Sequence, residues 1–342
     1  MVFNERSHQV LFAVVGSYIK DALPIGSRTL VQNYDFGLSP ATIRNIMAEL
    51  EEMGYLSQPH TSAGRVPTER GYRYYVDSLI ARPEDYGAPF GIEAQRLASK
   101  RDDMRELFQE TSQLLSLMSH YTGIVMGPDV SYTLFKQIEF IRLRAGHFLV
   151  ILITQDGFIQ NRIIETPEDL DQRDLDRIAR FLNETFSGLD LQEVRRRLLS
   201  EMETEKTQYD EMLKKVLELG KKAMRVEPEC ELFLGGTSHF LDQPEFSDLE
   251  KMRSLLTAFE EKAVIVKLLN RCMEGSGVQV FIGSENESRH MGDCSLVIAN
   301  YKCGDRIMGT VAVLGPTRME YERVIPLVDR TAKVLTRVLN ED

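Results

Sequence analysis

Thr42, Arg44 and Asn45 carry hydrogen-bonding groups that suit the edges of bases and the oxygens of phosphates. If the segment around them is helical, they fall on one side of the helix together with Ala41 and Ala48. The two alanines are small and would let a helix approach a groove closely. This combination of residue types predicts contact with double-stranded nucleic acid, provided that a helix holds the residues in place.

Local signals predict that helix. Ser39 is a favourable N-cap, and Pro40 suits the first helical position because its missing N–H would have no partner there. Apolar residues then recur at helical spacing and form one stripe for a core: Ile43, Ile46, Met47, Leu50 and Met53. Gly54 is expected to end the helix. The helix therefore has a buried side and a polar side, and the polar side carries Arg44 and Asn45.

The flanking segments predict a winged helix-turn-helix. An apolar face indicates a first helix, with Val10, Leu11, Val14, Val15 and Tyr18. Residues 27–34 are predicted as a short second helix, and residues 35–37 as the turn. After Gly54, extended segments at 55–59 and 65–67 enclose a turn at 61–64, so we expect Arg65 at the tip of this hairpin. A fourth helix is predicted over 68–79.

We expect the DNA contacts to come from the recognition helix and from nearby arginines, which Glu69 mainly opposes. The expected DNA-binding residues are Ser39, Ala41, Thr42, Arg44, Asn45, Arg65, Arg70 and Arg73. Helix-turn-helix folds also serve as protein-binding modules, and Gly-Arg turns occur on many hairpins. The order of the elements favours DNA over these alternatives.

The charge of the chain is unevenly distributed. The formal net charge is −11, yet residues 1–82 hold eight Lys or Arg and eight Asp or Glu. The acidic excess therefore belongs to residues 83–342. A neutral N-terminal domain predicts binding through a few placed contacts and dimerisation, with a modest dependence on salt.

The composition predicts a linker at 83–92 between an N-terminal domain, 1–82, and an α+β domain, 93–342. In this second domain we expect a long helix at 93–121, strands near 123–126, 134–143, 148–154, 158–165, 231–234, 278–282, 295–301 and 309–314, helices over 248–273, and a terminal helix at 319–339. A strongly charged helical section at about 171–226 is predicted to be an insert. Its apolar stripes suggest that it mediates dimerisation.

We expect no catalytic, cofactor or metal site. Glu285, Glu287, His290 and Asp293 share one loop and are candidate ligands for a hard cation, but a polar loop between strands explains them better. The cysteines at 230, 272, 294 and 303 lack the spacing of a zinc site. The chain has no apolar run of spanning length and no signal-like N-terminus, so we expect a soluble, cytoplasmic protein that is not an enzyme.

Six segments resemble the HrcA family, the heat-inducible transcription repressors of bacteria. They are PIGSRTL (24–30), SPATIRNIMAELEEMGYL (39–56), HTSAGRVPTERGYRYYVDSL (60–79), GGTSHFLDQPEF (235–246), IGSENES (282–288) and VLGPTRMEYERVIPLVD (313–329). No single segment decides the matter, but the six occur in order. They lie at both ends and in the middle, so the resemblance covers essentially the whole chain.

The resemblance implies a dimeric winged-helix repressor whose second domain is GAF-like, with an α/β sheet and an inserted dimerising segment. It also implies an inverted-repeat operator upstream of chaperone operons, and a chaperonin that keeps the repressor competent. Two alternatives stay open. A small-molecule effector bound in the GAF-like domain would make the chain a ligand-controlled regulator. An enzymatic C-terminal domain would instead need a pocket with clustered, perturbed ionisable groups.

Overall fold

The computed structural model describes residues 4–60, 63–81, 91–101, 103–128, 134–155, 157, 159–166, 170–191, 193–194, 196–198, 219–220, 231–273, 275, 277–286, 288, 290–304 and 306–340. They form two compact units. The first consists of Met1–Gly127 and Leu232–Asp342, and the second of Pro128–Glu231. The second unit is therefore an insertion in the sequence of the first.

The described part of residues 1–81 is called the N-terminal module below. It contains α1 (Glu5–Asp21), α2 (Ser27–Asn33), α3 (Pro40–Glu52), β1 (Leu56–Ser57), β2 (Val66–Pro67) and α4 (Glu69–Ile80). α1 begins at Asn4, whose side chain accepts a hydrogen bond from the Ser7 N–H at 2.7 Å. α4 begins in the same way at Thr68, which accepts from the Gly71 N–H at 3.2 Å. The order of these elements is the one predicted from the sequence.

α3 forms where the sequence predicts it. Ser39 accepts a hydrogen bond from the Thr42 N–H at 3.2 Å, and Pro40 is the first helical residue. The predicted apolar stripe is buried at Ile43, Ile46, Met47 and Leu50. Gly54 follows the helix with a φ of +79°, a conformation that costs glycine little. One side of α3 is thus fixed in the core of the module.

The remaining elements follow after residue 90. They are α5 (Gly91–Ala98), α6 (Met104–Ser119), β3 (Thr122–Met126), β4 (Phe135–Arg144), β5 (His147–Thr154), β6 (Ile159–Glu165), α7 (Gln172–Phe186), β7 (Leu232–Gly235), α8 (Leu249–Glu260), α9 (Lys262–Cys272), β8 (Val278–Ile282), β9 (Cys294–Cys303), β10 (Arg306–Pro316) and α10 (Tyr321–Asn340), with 3₁₀ turns at Thr237–Asp242, Pro244–Phe246 and Gly283–Asn286.

A five-stranded antiparallel sheet is the centre of the first unit outside the N-terminal module. Its strand order is β7-β3-β10-β9-β8. α6 and α10 contact each other and pack against this sheet. Tyr301 is fully buried in this packing and donates a hydrogen bond to the Met126 carbonyl at 2.9 Å. We call this part of the first unit the sheet domain.

The inserted unit has its own sheet and its own core. β4, β5 and β6 form an antiparallel sheet in that order, and α7 packs against β4. Buried residues of the strands and of α7, among them Phe140, Val150 and Leu182, form a separate cluster. The predicted insert begins at about 171 and leaves these strands in the main sheet, whereas the observed division falls at Pro128. Alternation predicts a strand, but it does not say which sheet the strand joins.

The predicted single helix over 93–121 is wrong, because two helices occupy this range. α5 ends at Ala98, and α6 begins after Asp103. The Asp103 carboxylate accepts hydrogen bonds from the N–H groups of Arg105 and Glu106, at 3.0 and 3.1 Å. An aspartate that satisfies the first amides of a helix favours a new start over a continuous helix.

Several predicted segments lie wholly or largely outside the described residues. They are most of the linker at 83–92 and most of the predicted helical section at about 171–226 beyond residue 198. Among the residues that are described, no helix combines the length and the apolar character needed to cross a membrane.

Candidate nucleic-acid interface

The polar side of α3 is open to an external partner. Ala41, Arg44 and Asn45 are exposed, whereas Ile43 and Ile46 are buried beneath them. Within the described part of the chain, no residue forms a hydrogen bond or ion pair with the side chain of Arg44 or Asn45. A guanidinium and a carboxamide on one face can each make two hydrogen bonds to a base edge.

Two further predicted residues, Ser39 and Thr42, lie at the start of α3. Their hydroxyl oxygens are 2.9 Å apart, and Ser39 also caps the helix. Ser39 is exposed and Thr42 is half-buried. The amides at the start of a helix carry partial positive charge, which favours an anionic group such as a phosphate beside these two residues.

Arg65 directly precedes β2 and is paired, so it is not the unpaired arginine on a hairpin that the sequence predicts. Its backbone forms a bridge with Ile25, through hydrogen bonds of 3.0 and 2.8 Å. Its Nη2 lies 2.8 Å from a carboxylate oxygen of Glu51, and only 20% of the side chain is exposed. The bridge requires glycine at position 64, because a Cβ there would lie 2.3 Å from the Ile25 backbone. This bridge fastens the segment directly before β2 to the segment directly before α2.

Arg70 lies between the hairpin and α3. It is exposed, and its Nη1 donates a hydrogen bond to the Met53 carbonyl at 3.0 Å. Its guanidinium also stacks over the Tyr55 ring, 4.4 Å from the ring centroid. Arg70 thereby satisfies a carbonyl at the end of α3 and keeps its charge close to the exposed surface.

Arg73 points towards the sheet domain. Its Nε donates to Glu285 at 2.9 Å, a second nitrogen pairs with the same carboxylate, and that nitrogen also donates to the Val280 carbonyl at 2.6 Å. Asp77 lies 3.3 Å from Nη1. Burial alone lowers the pKa of Arg73, but the hydrogen bonds and the charge of Glu285 and Asp77 raise it above its usual value. The four predicted arginines therefore do not form one free positive surface.

Sequence reasoning missed the residues that join the N-terminal module to the sheet domain. Glu69 accepts a hydrogen bond from the Ser284 N–H at 2.9 Å, and Tyr75 donates to Glu322 at 2.7 Å. Arg318 donates to the Ile19 carbonyl at 3.1 Å. The partners are 215 to 299 positions apart in sequence, so no local pattern signals these contacts.

Three side chains of the acidic loop, a candidate cation site by sequence, make other contacts. Glu285 also accepts from the Ile282 N–H at 2.9 Å. Asp293 pairs with Lys251 at 2.9 Å, and His290 lies 2.8 Å from the Ser254 hydroxyl. Across the described residues, no group of three or more His, Cys, Asp or Glu side chains is arranged to hold a metal ion.

Comparison with known proteins identifies the family. The family model "HrcA protein C terminal domain" matches residues 105–325. The heat-inducible transcription repressor HrcA of Geobacter sulfurreducens is 44% identical over 336 residues, which cover 98% of this chain and 98% of that protein. The protein of the same name from Syntrophobacter fumaroxidans is 40% identical, over 99% of this chain and 98% of its own length. The chain belongs to the HrcA family of heat-inducible transcription repressors.

One solved structure resembles the HrcA-family chain along its whole length. It is titled "Crystal structure of a hypothetical protein at 2.2 A resolution" and is 23% identical, with a TM-score of 0.64. The match covers 99% of each chain. At this identity the similarity shows that the fold is shared. The transcription-repressor assignment comes from the curated relatives and the family model.

A cavity of about 880 Å³ borders both parts of the first unit in this HrcA-family chain. It is lined by α1, by the turn between α2 and α3, and by the start of α10, with His8, Phe12, Tyr34, Phe36, Glu320 and Tyr321 among its residues. Because the turn leads directly into α3, a molecule bound in this cavity would touch the segment that positions the polar side of α3. This cavity could hold a small-molecule effector. It lies at the edge of the N-terminal module, whereas the effector alternative expected a site within the GAF-like domain.

Proposed function

We propose that this chain represses heat-shock chaperone operons by binding an inverted-repeat operator as a homodimer. In this proposal the N-terminal module is a winged helix-turn-helix, and the sheet domain is GAF-like. The observation that carries the proposal is the exposed polar side of α3, where Arg44 and Asn45 have no partner among the described residues. Membership in a family of transcription repressors supports it.

α3 is proposed to enter the major groove with its polar side against the bases. Arg44 and Asn45 would read base edges, while the small Ala41 lets the helix approach closely. Ser39 and Thr42 would contact a backbone phosphate at the start of the helix. Because the N-terminal domain has no net positive charge, we expect affinity to depend on these few contacts and on the second protomer.

Arg65 and Arg70 are proposed to contact phosphates beside the groove. Arg70 is exposed and lies at the end of α3, so it needs little rearrangement. Arg65 would exchange Glu51 for a phosphate oxygen. Arg73 is left out of this proposal, because Glu285 and the Val280 carbonyl already bind its guanidinium.

Dimerisation is proposed to use the inserted unit. One face of its three-stranded sheet packs on α7, and the register places aliphatic residues on the other: Ile141, Leu149, Ile151, Ile153, Ile159 and Ile163. Ile159 and Ile163 are 58% and 60% exposed. Gln137, Glu139 and Asn161 share this face, but monomeric proteins rarely leave this many aliphatic side chains together on one exposed face. Two copies could cover this face symmetrically, as a two-fold interface requires.

A chaperonin is proposed as the partner that keeps the repressor competent, as the family resemblance implies. The aliphatic face of the inserted unit supports this, since every unassembled chain would expose it. Chains with exposed apolar surface are prone to aggregate and are typical substrates of chaperones. On heating, unfolded proteins would compete for the chaperonin, and the population of DNA-competent repressor would fall by mass action.

The cavity beside α1 favours a second candidate function, control by a small organic effector. A ligand that binds only the folded protein raises its melting temperature by mass action. If this function holds, a metabolite library should contain a compound that raises the melting temperature and alters operator affinity. Ala13 of α1 lines this cavity, and Ala13→Leu would fill part of it. This variant should abolish both the rise in melting temperature and the change in operator affinity. A library that gives no shift would remove this candidate.

Replacing Arg44 tests the proposed groove contact. Arg44→Ala should weaken operator binding by about 1–3 kcal/mol and relax the preference for one base, because two hydrogen bonds from one guanidinium to a base edge are lost. Gel-shift titrations against single-base operator variants measure both quantities. Arg306→Ala, which removes an exposed arginine from the sheet domain, is the matched control and should change neither. Equal losses in the two variants would contradict a specific role for Arg44.

A charge on the aliphatic face tests the proposed dimer. Ile163→Glu should yield monomers in sedimentation analysis and lose tight operator binding, since the interface would bury a carboxylate without a partner. Leu249→Glu places the same charge at an apolar residue of α8 that is 78% exposed, and it should remain dimeric. A folded Ile163→Glu protein that stays dimeric would place the interface elsewhere.

Four mixtures test the chaperonin. Operator binding is measured at constant temperature with and without chaperonin, each with and without an unrelated unfolded substrate. The substrate should lower operator binding only when chaperonin is present, because it then occupies the chaperonin that the repressor needs. Equal binding in all four mixtures, with loss of binding on simple warming, would make unfolding of the repressor itself the sensor.

A further inference from the structure

The outer side of α4 carries a polar contact with the sheet domain. Arg73 binds Glu285 through two nitrogens and donates to the Val280 carbonyl at 2.6 Å. One turn earlier, Glu69 accepts from the Ser284 N–H at 2.9 Å and from the Ser284 hydroxyl. We call these four side chains, Glu69, Arg73, Ser284 and Glu285, the α4 clamp.

The α4 clamp has the geometry of an orienting contact. A guanidinium that pairs with one carboxylate through two nitrogens is held in both distance and direction. The Glu285 carboxylate is itself fixed by the Ile282 N–H at 2.9 Å, at the end of β8. Side chains one helical turn apart therefore bind one short segment of the sheet domain, and this opposes rotation of α4 about its own axis.

Apolar and polar packing beside the clamp continues the interface. The Tyr72 ring lies 6.2 Å from the Tyr321 ring, and both residues are buried. Tyr75 donates to Glu322, and Arg318 donates to the Ile19 carbonyl of α1. None of these contacts involves the segment between α4 and α5, so the placement of the module does not depend on the covalent connection alone.

We propose that the α4 clamp sets the orientation of the DNA-binding module on the sheet domain, and that Arg73 and Glu285 are positioning residues for operator binding and not DNA contacts. The inference rests on the proposed function as a dimeric repressor. Fixing each module on its own sheet domain removes one source of variation in the distance and relative direction of the two α3 helices of a dimer. The preferred half-site spacing of the operator is then narrower than it would be with freely moving modules.

A loosened module would change the spacing dependence in a recognisable way. Two modules that move on a tether can reach half-sites at several spacings. At the preferred spacing, however, the effective concentration of the second module is lower than it is for a fixed module. Intrinsic contacts between α3 and a half-site would not change. Spacing dependence therefore separates positioning from direct DNA contact, which affects all spacings alike.

The experiment uses the full-length protein with Arg73→Ala, Glu285→Gln and the double variant. Operator affinity is measured on a series in which the half-site spacing varies by up to about five base pairs, half a helical turn. Each single variant should lose on the order of ten-fold affinity at the best spacing and show a flatter profile. The double variant should behave like either single variant, because both remove the same contact. Ser284→Ala leaves the ion pair between Arg73 and Glu285 in place. It should also flatten the dependence of affinity on half-site spacing.

Controls separate the alternatives. Lys333→Ala breaks an exposed ion pair with Asp329 on α10 and should leave the profile unchanged. If Arg73 contacts a phosphate, Arg73→Ala will lower affinity equally at all spacings and reduce the salt slope by about one, while Glu285→Gln leaves affinity unchanged or raised. That pattern, or a wild-type profile in all folded variants, would overturn the inference. Wild-type protein that prefers no inverted repeat would instead refute the proposed function.

Discussion

α4 is held on two sides, and the direction of α3 depends on both. On one side, Arg70 donates to the Met53 carbonyl at the end of α3, and Tyr72 and Val76 are buried in the module. On the other side, Arg73 pairs with Glu285 of the sheet domain. Because a short helix is stiff, a contact on its outer side is transmitted to whatever packs on its inner side. The polar side of α3 is thereby oriented relative to the sheet domain as well as to its own module.

Positive charge in the N-terminal module is divided between internal pairing and an exposed surface. Arg65 pairs with Glu51 and Arg73 with Glu285, whereas Arg44 has no partner among the described residues. A domain without net positive charge, such as residues 1–82, cannot hold nucleic acid by long-range attraction to many phosphates. Such a distribution of charge favours recognition through a small number of directed hydrogen bonds. Affinity then depends strongly on the orientation of α3 relative to the DNA.

Local pattern predicted the elements well and their partners poorly. The cap at Ser39 and the apolar spacing of α3 depend on neighbouring residues, so its limits and its exposed side could be read from the sequence. The same reasoning assigned Arg73 to a positive cluster, although its partner Glu285 lies 212 positions away. It also missed the new helix at Asp103, where an aspartate followed three residues later by Glu106 is a recognisable start signal. Contacts between distant segments have no such local signature.

The sequence of β5 in the inserted unit is apolar on both faces of its sheet. Residues 148–153 of β5 read Phe-Leu-Val-Ile-Leu-Ile, an unbroken apolar run that is typical of a strand covered on both faces. The face with Phe148, Val150 and Leu152 is buried in the core with α7. The opposite face is only partly covered by the described residues, and the neighbouring strands add exposed isoleucines to it. A strand whose solvent-facing side mattered only for solubility would alternate with polar residues, so the unbroken run supports the proposal that a second copy covers this face.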